Sequence, residues 1–252
     1  MKNLNYIWLL LLLPALTSCK KGISPGDCFK TTGTVTTEQR EVPAFRNVVL
    51  KDNIGLYLKN GSSNSIKIEA GKNLLPKIKT EVDEKGNLII SNQNRCNWMR
   101  SYDVPVTAYL EFNRLDTLFY ASTGNVMNMA DADTLYFGDS LCVEIKEGSG
   151  DLKINYKAGY LRVAFTYGTS DVVFTGVSTI ISVYSSAWGK IDFHNINCPT
   201  VWAINNSSNN MLLRAVKELR ASTESLGNIY IYGNPPEISF NKGGKGDLIR
   251  VP

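Results

Sequence analysis

The chain holds a single histidine, His194, among 252 residues, and none of its five cysteines forms a C-x-x-C pair. A Cys/His zinc site therefore has few ligands to draw on, and neither a metal nor a cofactor is expected. Catalysis through a Ser-His-Asp or Cys-His arrangement would have to use His194, in Asp192-Phe193-His194-Asn195, a setting that reads as a surface turn. A G-x-S-x-G elbow is absent, and Gly148-Ser149-Gly150 is accounted for by the repeat described below. Strong charge of either sign is lacking too. The formal net charge of +4 is mild and its basic residues are scattered, so no nucleic-acid partner is implied. Helical periodicity is missing: no window of eleven residues shows a convincing i, i+3, i+4, i+7 apolar face. Met211–Arg220 comes nearest, and it fits a strand equally well. Beyond Ile7–Leu13, no apolar run is long enough to span a bilayer.

That one run carries information. Lys2 precedes it, Pro14 breaks it, and Leu16-Thr17-Ser18-Cys19 follows. A short apolar segment before a small-residue cleavage site reads as a signal peptide over residues 1–18. The tetrad resembles the bacterial lipobox, which makes Cys19 the expected lipidation site and the membrane a partner through a lipid anchor. Lys20-Lys21 beside that anchor favours an outer-membrane lipoprotein facing the periplasm. The remaining cysteines, Cys28, Cys96, Cys142 and Cys198, permit three disulfide pairings in an oxidising compartment. The polar, irregular surroundings of Cys28 and Cys96 favour that pair, with Cys142 and Cys198 as free buried thiols.

Residues 19–44, rich in glycine and threonine, read as lipidated cysteine and spacer. From Phe45 the pattern is alternation with period two, cleanest at Val104, Val106, Ala108, Leu110 and Phe112, which assigns 45–115 to an N-terminal β segment. Over 116–252 a unit recurs, a small polar turn followed by an alternating pair: Thr123-Gly124-Asn125-Val126, Ser149-Gly150-Asp151-Leu152, Thr169-Ser170-Asp171-Val172 and Trp188-Gly189-Lys190-Ile191. It continues through Ser208-Asn209-Asn210-Met211, Leu226-Gly227-Asn228-Ile229 and Lys245-Gly246-Asp247-Leu248. The central positions 124, 150, 170, 189, 209, 227 and 246 are separated by 26, 20, 19, 20, 18 and 19 residues. Such a period indicates an all-β, right-handed β-helix-like solenoid of about 19–20-residue repeats. Stacking would align Leu152, Val172, Ile191, Met211, Ile229 and Leu248 as one interior ladder. It would gather the turns at one corner, where residues tolerant of positive φ are needed. The alternative is an antiparallel β-sandwich with evenly spaced hairpins.

These features resemble a known family, the "putative auto-transporter adhesin, head GIN domain" proteins, a domain of unknown function in bacterial lipoproteins. The resemblance rests on the lipobox, Phe45-Arg46-Asn47-Val48, Asn53-Ile54-Gly55-Leu56, Asn73-Leu74-Leu75, Gly86-Asn87-Leu88-Ile89-Ile90 and Cys96-Asn97-Trp98. It extends through the serial Ser-Gly-Asp turns, Ile231-Tyr232-Gly233-Asn234-Pro235-Pro236 and Gly243-Gly244-Lys245-Gly246, so that 45–252 reads as one continuous unit. It implies a β-helix-like fold in the cell envelope, adhesion by name only, and no catalytic residues.

The functional lead lies in aromatics concentrated in the repeat: Tyr120, Tyr136, Tyr156, Tyr160 and Tyr167, and above all Tyr184, Trp188, Trp202, Tyr230 and Tyr232. Tyr184, Trp202 and Tyr230 fall out of step with the core-facing phase. Exposed rings on a rigid sheet can stack on sugars or anchor a protein, although cross-strand aromatics also stabilise sheets. The expectation is a non-catalytic adhesion or binding module for a glycan or envelope protein. Two alternatives stand beside it. One is a carbohydrate-active β-helix enzyme using Glu144, Asp151, Asp171, Lys146 or Lys153. The other is a scaffold assembling through β-edges or stacked ends. Gly243-Gly244-Lys245-Gly246-Asp247 departs from the calcium-binding nonapeptide by one position and occurs once, so it reads as a solvated turn.

Overall fold

The computed structural model describes residues 31–94 and 105–252. Among them the chain is all-β, with 21 strands in one curled sheet and no α-helix. The strands stand in two columns that share a single apolar core.

The first, the Trp202 column, runs Ile78–Val82, Asn87–Asn92, Asn47–Asp52, Thr117–Ser122 and Ser140–Gly148. It continues through the second halves of Leu152–Phe165 and Val172–Ser185, then Thr200–Asn205, Glu218–Thr223 and Glu237–Lys242. The second, the Tyr230 column, begins Val35–Glu41, Ser65–Gly71, Val106–Phe112, Ile54–Asn60 and Val126–Asn128. It continues through the first halves of the two long strands, Ile191–Phe193, Met211–Arg214, Ile229–Tyr232 and Leu248–Val251. Antiparallel pairs among the described residues are confined to the first strands of each column. From Thr117 onward every pairing is parallel; Thr117–Ser122 and Val126–Asn128 also pair back to Asn47–Asp52 and Ile54–Asn60, and from Ser140 each column strand pairs with its equivalent one period later.

Register confirms the ladder read from spacing. Leu152 lies opposite Val172, Val172 opposite Ile191, Ile191 opposite Met211, Met211 opposite Ile229, and Ile229 opposite Leu248. All are buried except Leu248, which lies in the last tier and is half-buried. A matching interior ladder, Leu118, Val143, Val163, Val183, Ala203, Ala221 and Phe240, lines the other column. The first interval is longer because residues 129–139 insert an excursion in which Leu135–Tyr136 pairs with Tyr156-Lys157. Columns of Leu, Val and Ile suit parallel strands, whose buried faces need β-branched and branched apolar side chains.

The corner between the columns departs from expectation. The repeat glycines at 124, 150, 189, 227 and 246 are not among the positive-φ residues. They are needed because the backbone passes directly over the preceding tier. A Cβ on Gly189 would lie 1.8 Å from the Ser170 carbonyl oxygen, and one on Gly227 would lie 2.0 Å from that of Asn209. The Asn or Asp that follows ties the tiers together. The Asn125 Oδ1 accepts from the Asp151 amide at 2.9 Å, Asp171 from Lys190 at 3.1 Å, Asn210 from Asn228 at 2.9 Å and Asn228 from Asp247 at 2.8 Å. At four of the six steps between these turns, the side chain after the central residue thus satisfies a backbone donor of the next tier.

Two further differences concern segment boundaries and ends. Val35–Glu41, inside the stretch read as spacer, is a strand paired with Ser65–Gly71. The parallel columns also extend into the N-terminal segment, since Thr117–Ser122 pairs with both Asn47–Asp52 and Ser140–Gly148. At the other end, Lys242 and Arg250 occupy the interior registers held one tier earlier by Thr223 and Ile231. Lys242 forms an ion pair with Asp247. Charges at inward positions of an edge strand discourage another sheet from pairing there.

Two predictions follow from this architecture. Asn228→Ala removes the acceptor of the Asp247 amide and is expected to lower stability by about 1–2 kcal/mol in a urea titration. Ser208→Ala, at an exposed corner position, should change it by less than about 0.5 kcal/mol. The double variant Lys242→Val/Arg250→Val is expected to self-associate in sedimentation velocity at concentrations where the parent stays monomeric. A double variant that sediments as the parent does would mean these charges do not guard the end.

Candidate functional site

Alternation along the strands sends every second residue outward. On the Trp202 column, one outward file reads Arg162, Ser182, Trp202, Arg220 and Ser239, and the next reads Ala164, Tyr184, Ile204, Ser222 and Asn241. In the strand Thr200–Asn205, Val201 and Ala203 face the core while Trp202 and Ile204 face out, at 39% and 44% exposure. Outward positions of a one-sided sheet are normally polar, so two large apolar groups in one short strand need an explanation. Their lateral neighbours are small: Ser182 beside Trp202, Ala164 beside Tyr184 and Ser222 beside Ile204. The rings stand above these neighbours and border a shallow groove of about 340 Å³, lined by Tyr184, Trp202, Ile204, Arg220, Ser239 and Asn241 among others. Arg220 donates through Nε to Glu218 Oε1 at 2.5 Å. The groove thus offers apolar ring surface beside hydroxyl, amide and guanidinium groups.

The five aromatics singled out from the sequence are brought to three places. Tyr184 and Trp202 share the groove. Trp188 lies at the corner, edge-on to Tyr167 with ring centroids 5.3 Å apart and both residues 57% exposed. Tyr230 and Tyr232 are half-buried on the outward face of the other column. Tyr232 packs at 5.0 Å against the His194 ring. Tyr120 and Tyr156 leave the surface altogether. Tyr120 is buried with its hydroxyl donating to the Gly124 and Gly150 carbonyls at 2.8 and 3.1 Å, and burial pushes its pKa up to about 12. Tyr156 is fully buried, edge-on to Phe174. Ile204 and Arg220 were missed. They carry no aromatic signal, and only their positions, two residues after Trp202 and one period after it, would have marked them.

The charged residues considered for catalysis fall into two groups, Glu144 with Lys146 on an outward face and Asp151, Lys153 and Asp171 in adjacent tiers at the corner. Glu144 sits on the outward face with Lys146 and Arg162, each 3.5 Å away. Asp171 serves the corner ladder, and Asp151 binds Lys153 at 2.8 Å. Among the described residues no group of three or more His, Cys, Asp or Glu is placed to hold a metal. Cys28, Cys96 and Cys19 lie outside the described residues. Cys198 is a free buried thiol as expected, its pKa pushed up to about 11 by burial. Cys142 is free but only half-buried, with Arg162 Nη1 3.5 Å from its sulfur, because it falls on the outward phase.

His194 is more constrained than a simple turn residue. Its Nδ1 contacts Asp192 Oδ1, and Lys190 Nζ binds the other carboxylate oxygen at 2.7 Å. The Arg214 Nε donates to the His194 carbonyl at 2.7 Å. Burial pushes the Asp192 pKa up, but hydrogen bonds from Lys190 and His194 outweigh it and hold the carboxyl below its ordinary value.

Together these observations define a class: an all-β domain of parallel tiers with an aromatic-lined groove on one outward face. Residues 44–235 match the family described as "Putative auto-transporter adhesin, head GIN domain", and the chain belongs to that family. Among solved structures it is similar to a putative adhesin from Bacteroides fragilis NCTC 9343, with TM-score 0.77 and 18% identity over 86% of this chain and 97% of that one. A putative adhesin from Parabacteroides distasonis ATCC 8503 gives TM-score 0.61 and 15% identity over 87% and 98%. A putative lipid binding protein from the same organism gives 0.60 and 15% over 87% and 98%. At these identities the likeness establishes the fold. No curated protein matches the chain.

Asp192 yields a pH prediction. A carboxyl whose folded pKa is depressed contributes stability above its unfolded value, about 3.9, and that contribution is lost as pH falls through the folded value. Asp192→Asn should therefore be less stable than the parent at pH 5, with the gap closing towards pH 3 in thermal melts. A gap that stays constant over that range would show that the ion pair adds nothing.

Proposed function

We propose that this protein is a non-catalytic binding module of the cell envelope, displaying the Trp202–Tyr184 groove to a glycan, with a protein partner as the second class of ligand. The observation that carries the reading is the pair of large apolar groups, Trp202 and Ile204, left exposed beside Tyr184 on a face where neighbouring outward positions are small or polar. Aromatic rings with polar tips suit sugar faces, which present C–H groups and hydroxyls together. A sheet-borne groove is pre-organised, so little conformational entropy is lost on binding. Paired carboxylates are the weaker lead: Asp151 and Asp171 are neighbours in successive corner turns, but Asp151 is bound to Lys153 and Asp171 to the Lys190 amide, while Glu144 is engaged by Lys146 and Arg162. The inward charges Lys242 and Arg250 weigh against end-to-end assembly as a scaffold.

The supporting frame is read as a right-handed β-solenoid-like stack. Successive strands pair in parallel at one-repeat offsets, and parallel crossovers are right-handed in nearly all proteins. A lipid on Cys19 after removal of residues 1–18 would tether it, on the periplasmic side of the outer membrane. Among the described residues no helix is long and apolar enough to cross a membrane.

The test is an array of bacterial and host glycans probed with purified full-length protein and scored for retention and for cleavage. Retention without cleavage is expected, reduced at least about tenfold by Trp202→Ala and little changed by Trp188→Ala, a difference of about 1.4 kcal/mol at the first position. Cleavage of any glycan would overturn the non-catalytic reading, and retention lost only with Trp188→Ala would move the site to the corner.

A further inference from the structure

Trp202 and Tyr184 account for ring stacking and leave open what distinguishes one sugar from another. Resting on the glycan reading above, we propose that the groove selects sugars bearing a carboxylate, with Trp202 under the ring and Arg220 on the acid group. Arg220 is the single formally charged residue of the groove's lining; its other members are Ser, Asn, Ala, Val, Ile, Tyr and Trp. It sits directly beside Trp202 in register, the two being Cα partners on adjacent parallel strands about 4.8 Å apart. A pyranose ring stacked on the indole therefore holds its ring substituents within reach of the guanidinium.

The guanidinium is also half-committed in a useful way. Its Nε is clipped by Glu218 at 2.5 Å, while neither terminal nitrogen has a protein partner among the described residues. Clipping one edge fixes the plane and lowers the entropy lost when a ligand binds the rest. A carboxylate accepts two parallel N–H bonds from such a fork, an arrangement that a hydroxyl cannot reproduce with both acceptors charged. Glu218 and Glu237, Cα partners on the adjacent outward file, are the nearest like charges and would oppose an anion. Selection is therefore expected to be moderate and salt-sensitive, in keeping with an Arg220 side chain that is 66% exposed.

The remaining lining fits the same ligand. Ser182, Ser222, Ser239 and Asn241 surround the rings with short donors and acceptors for sugar hydroxyls, and none adds charge. A ligand with strong positive charge finds no partner in the groove itself. A fully apolar ligand would cover part of the guanidinium and leave its two terminal nitrogens without a new acceptor.

Calorimetry with paired oligosaccharides tests this directly. Galacturonate, glucuronate and mannuronate tetramers would each be titrated into the full-length protein as free acid and as methyl ester, which keeps the ring and removes the charge. The free acid of at least one sugar is expected to bind about tenfold more tightly than its ester at low salt, with the ratio falling as salt rises. Arg220→Gln should bring the acid down to the affinity of the ester and leave the ester unchanged, whereas Trp202→Ala should weaken both. Circular dichroism of both variants checks that the sheet is intact. Equal binding of acid and ester, or an acid preference that survives Arg220→Gln, overturns carboxylate selection and leaves the glycan reading standing. Acid and ester that both fail to bind overturn carboxylate selection, while the glycan reading falls only if the array of bacterial and host glycans also shows no retention.

Discussion

Parallel in-register stacking is the constraint on which everything else in this molecule depends. From Ser140 onward each strand of a column lies about 4.8 Å from its equivalent in the neighbouring tier. What one tier places inward, the next must also place inward. Leu152, Val172, Ile191, Met211 and Ile229 can share a ladder because each presents an apolar side chain of similar reach. The corners are stricter still. There the chain turns directly above the previous turn, leaving no room for a Cβ at Gly189 or Gly227. The amide exposed by the turn is taken by an Asn or Asp from the neighbouring tier. Core and corner together make each tier depend on the one beside it, as expected when no unit can bury its own face.

Outward positions escape that constraint. They need only tolerate solvent and their lateral neighbours, so chemistry can vary from tier to tier on an unchanging frame. The file that carries Arg162, Ser182, Trp202 and Arg220 illustrates this, with charge, hydroxyl, indole and charge in four successive tiers. The exposure of Trp202 follows from the small residue beside it as much as from its own size.

Periodicity made the core legible in the sequence, because period-two alternation is the image of a strand with one face buried and a constant repeat length is the image of parallel register. The interior ladder and the gathering of turns at one corner were readable for that reason. Other features were not. Phase within a tier tells inward from outward but not which column a residue belongs to, so Trp202 and Tyr230 looked equivalent and lie on different faces. Tyr120 stands in the sequence only as one of many aromatics of the repeat, and nothing local marks that its hydroxyl reaches the Gly124 and Gly150 carbonyls from inside the corner. The glycines were expected for their backbone freedom and are instead required by close approach, which spacing alone cannot distinguish. Asn47–Asp52 pairing with Thr117–Ser122 joins segments far apart in the chain, beyond any local pattern.

The position of the groove along the stack bears on how it would work. In the Tyr230 column eleven strands separate into an ordered file from Val35–Glu41 at one end to Leu248–Val251 at the other, roughly 48 Å apart at sheet spacing. Trp202 and Arg220 belong to the last tiers, close to the end that carries Lys242 and Arg250. The groove therefore stands far along the frame from the strand Val35–Glu41. Parallel pairing carries position from tier to tier without a hinge, so the stack holds that surface at a fixed distance from its first strand. The same geometry exposes the terminal tier, where an unguarded edge would invite pairing by another sheet. Inward-register charges at Lys242 and Arg250 and an outward groove that starts on the same terminal strand, at Ser239 and Asn241, are then complementary features. The end is closed to strands, and the face beside it remains open to a ligand.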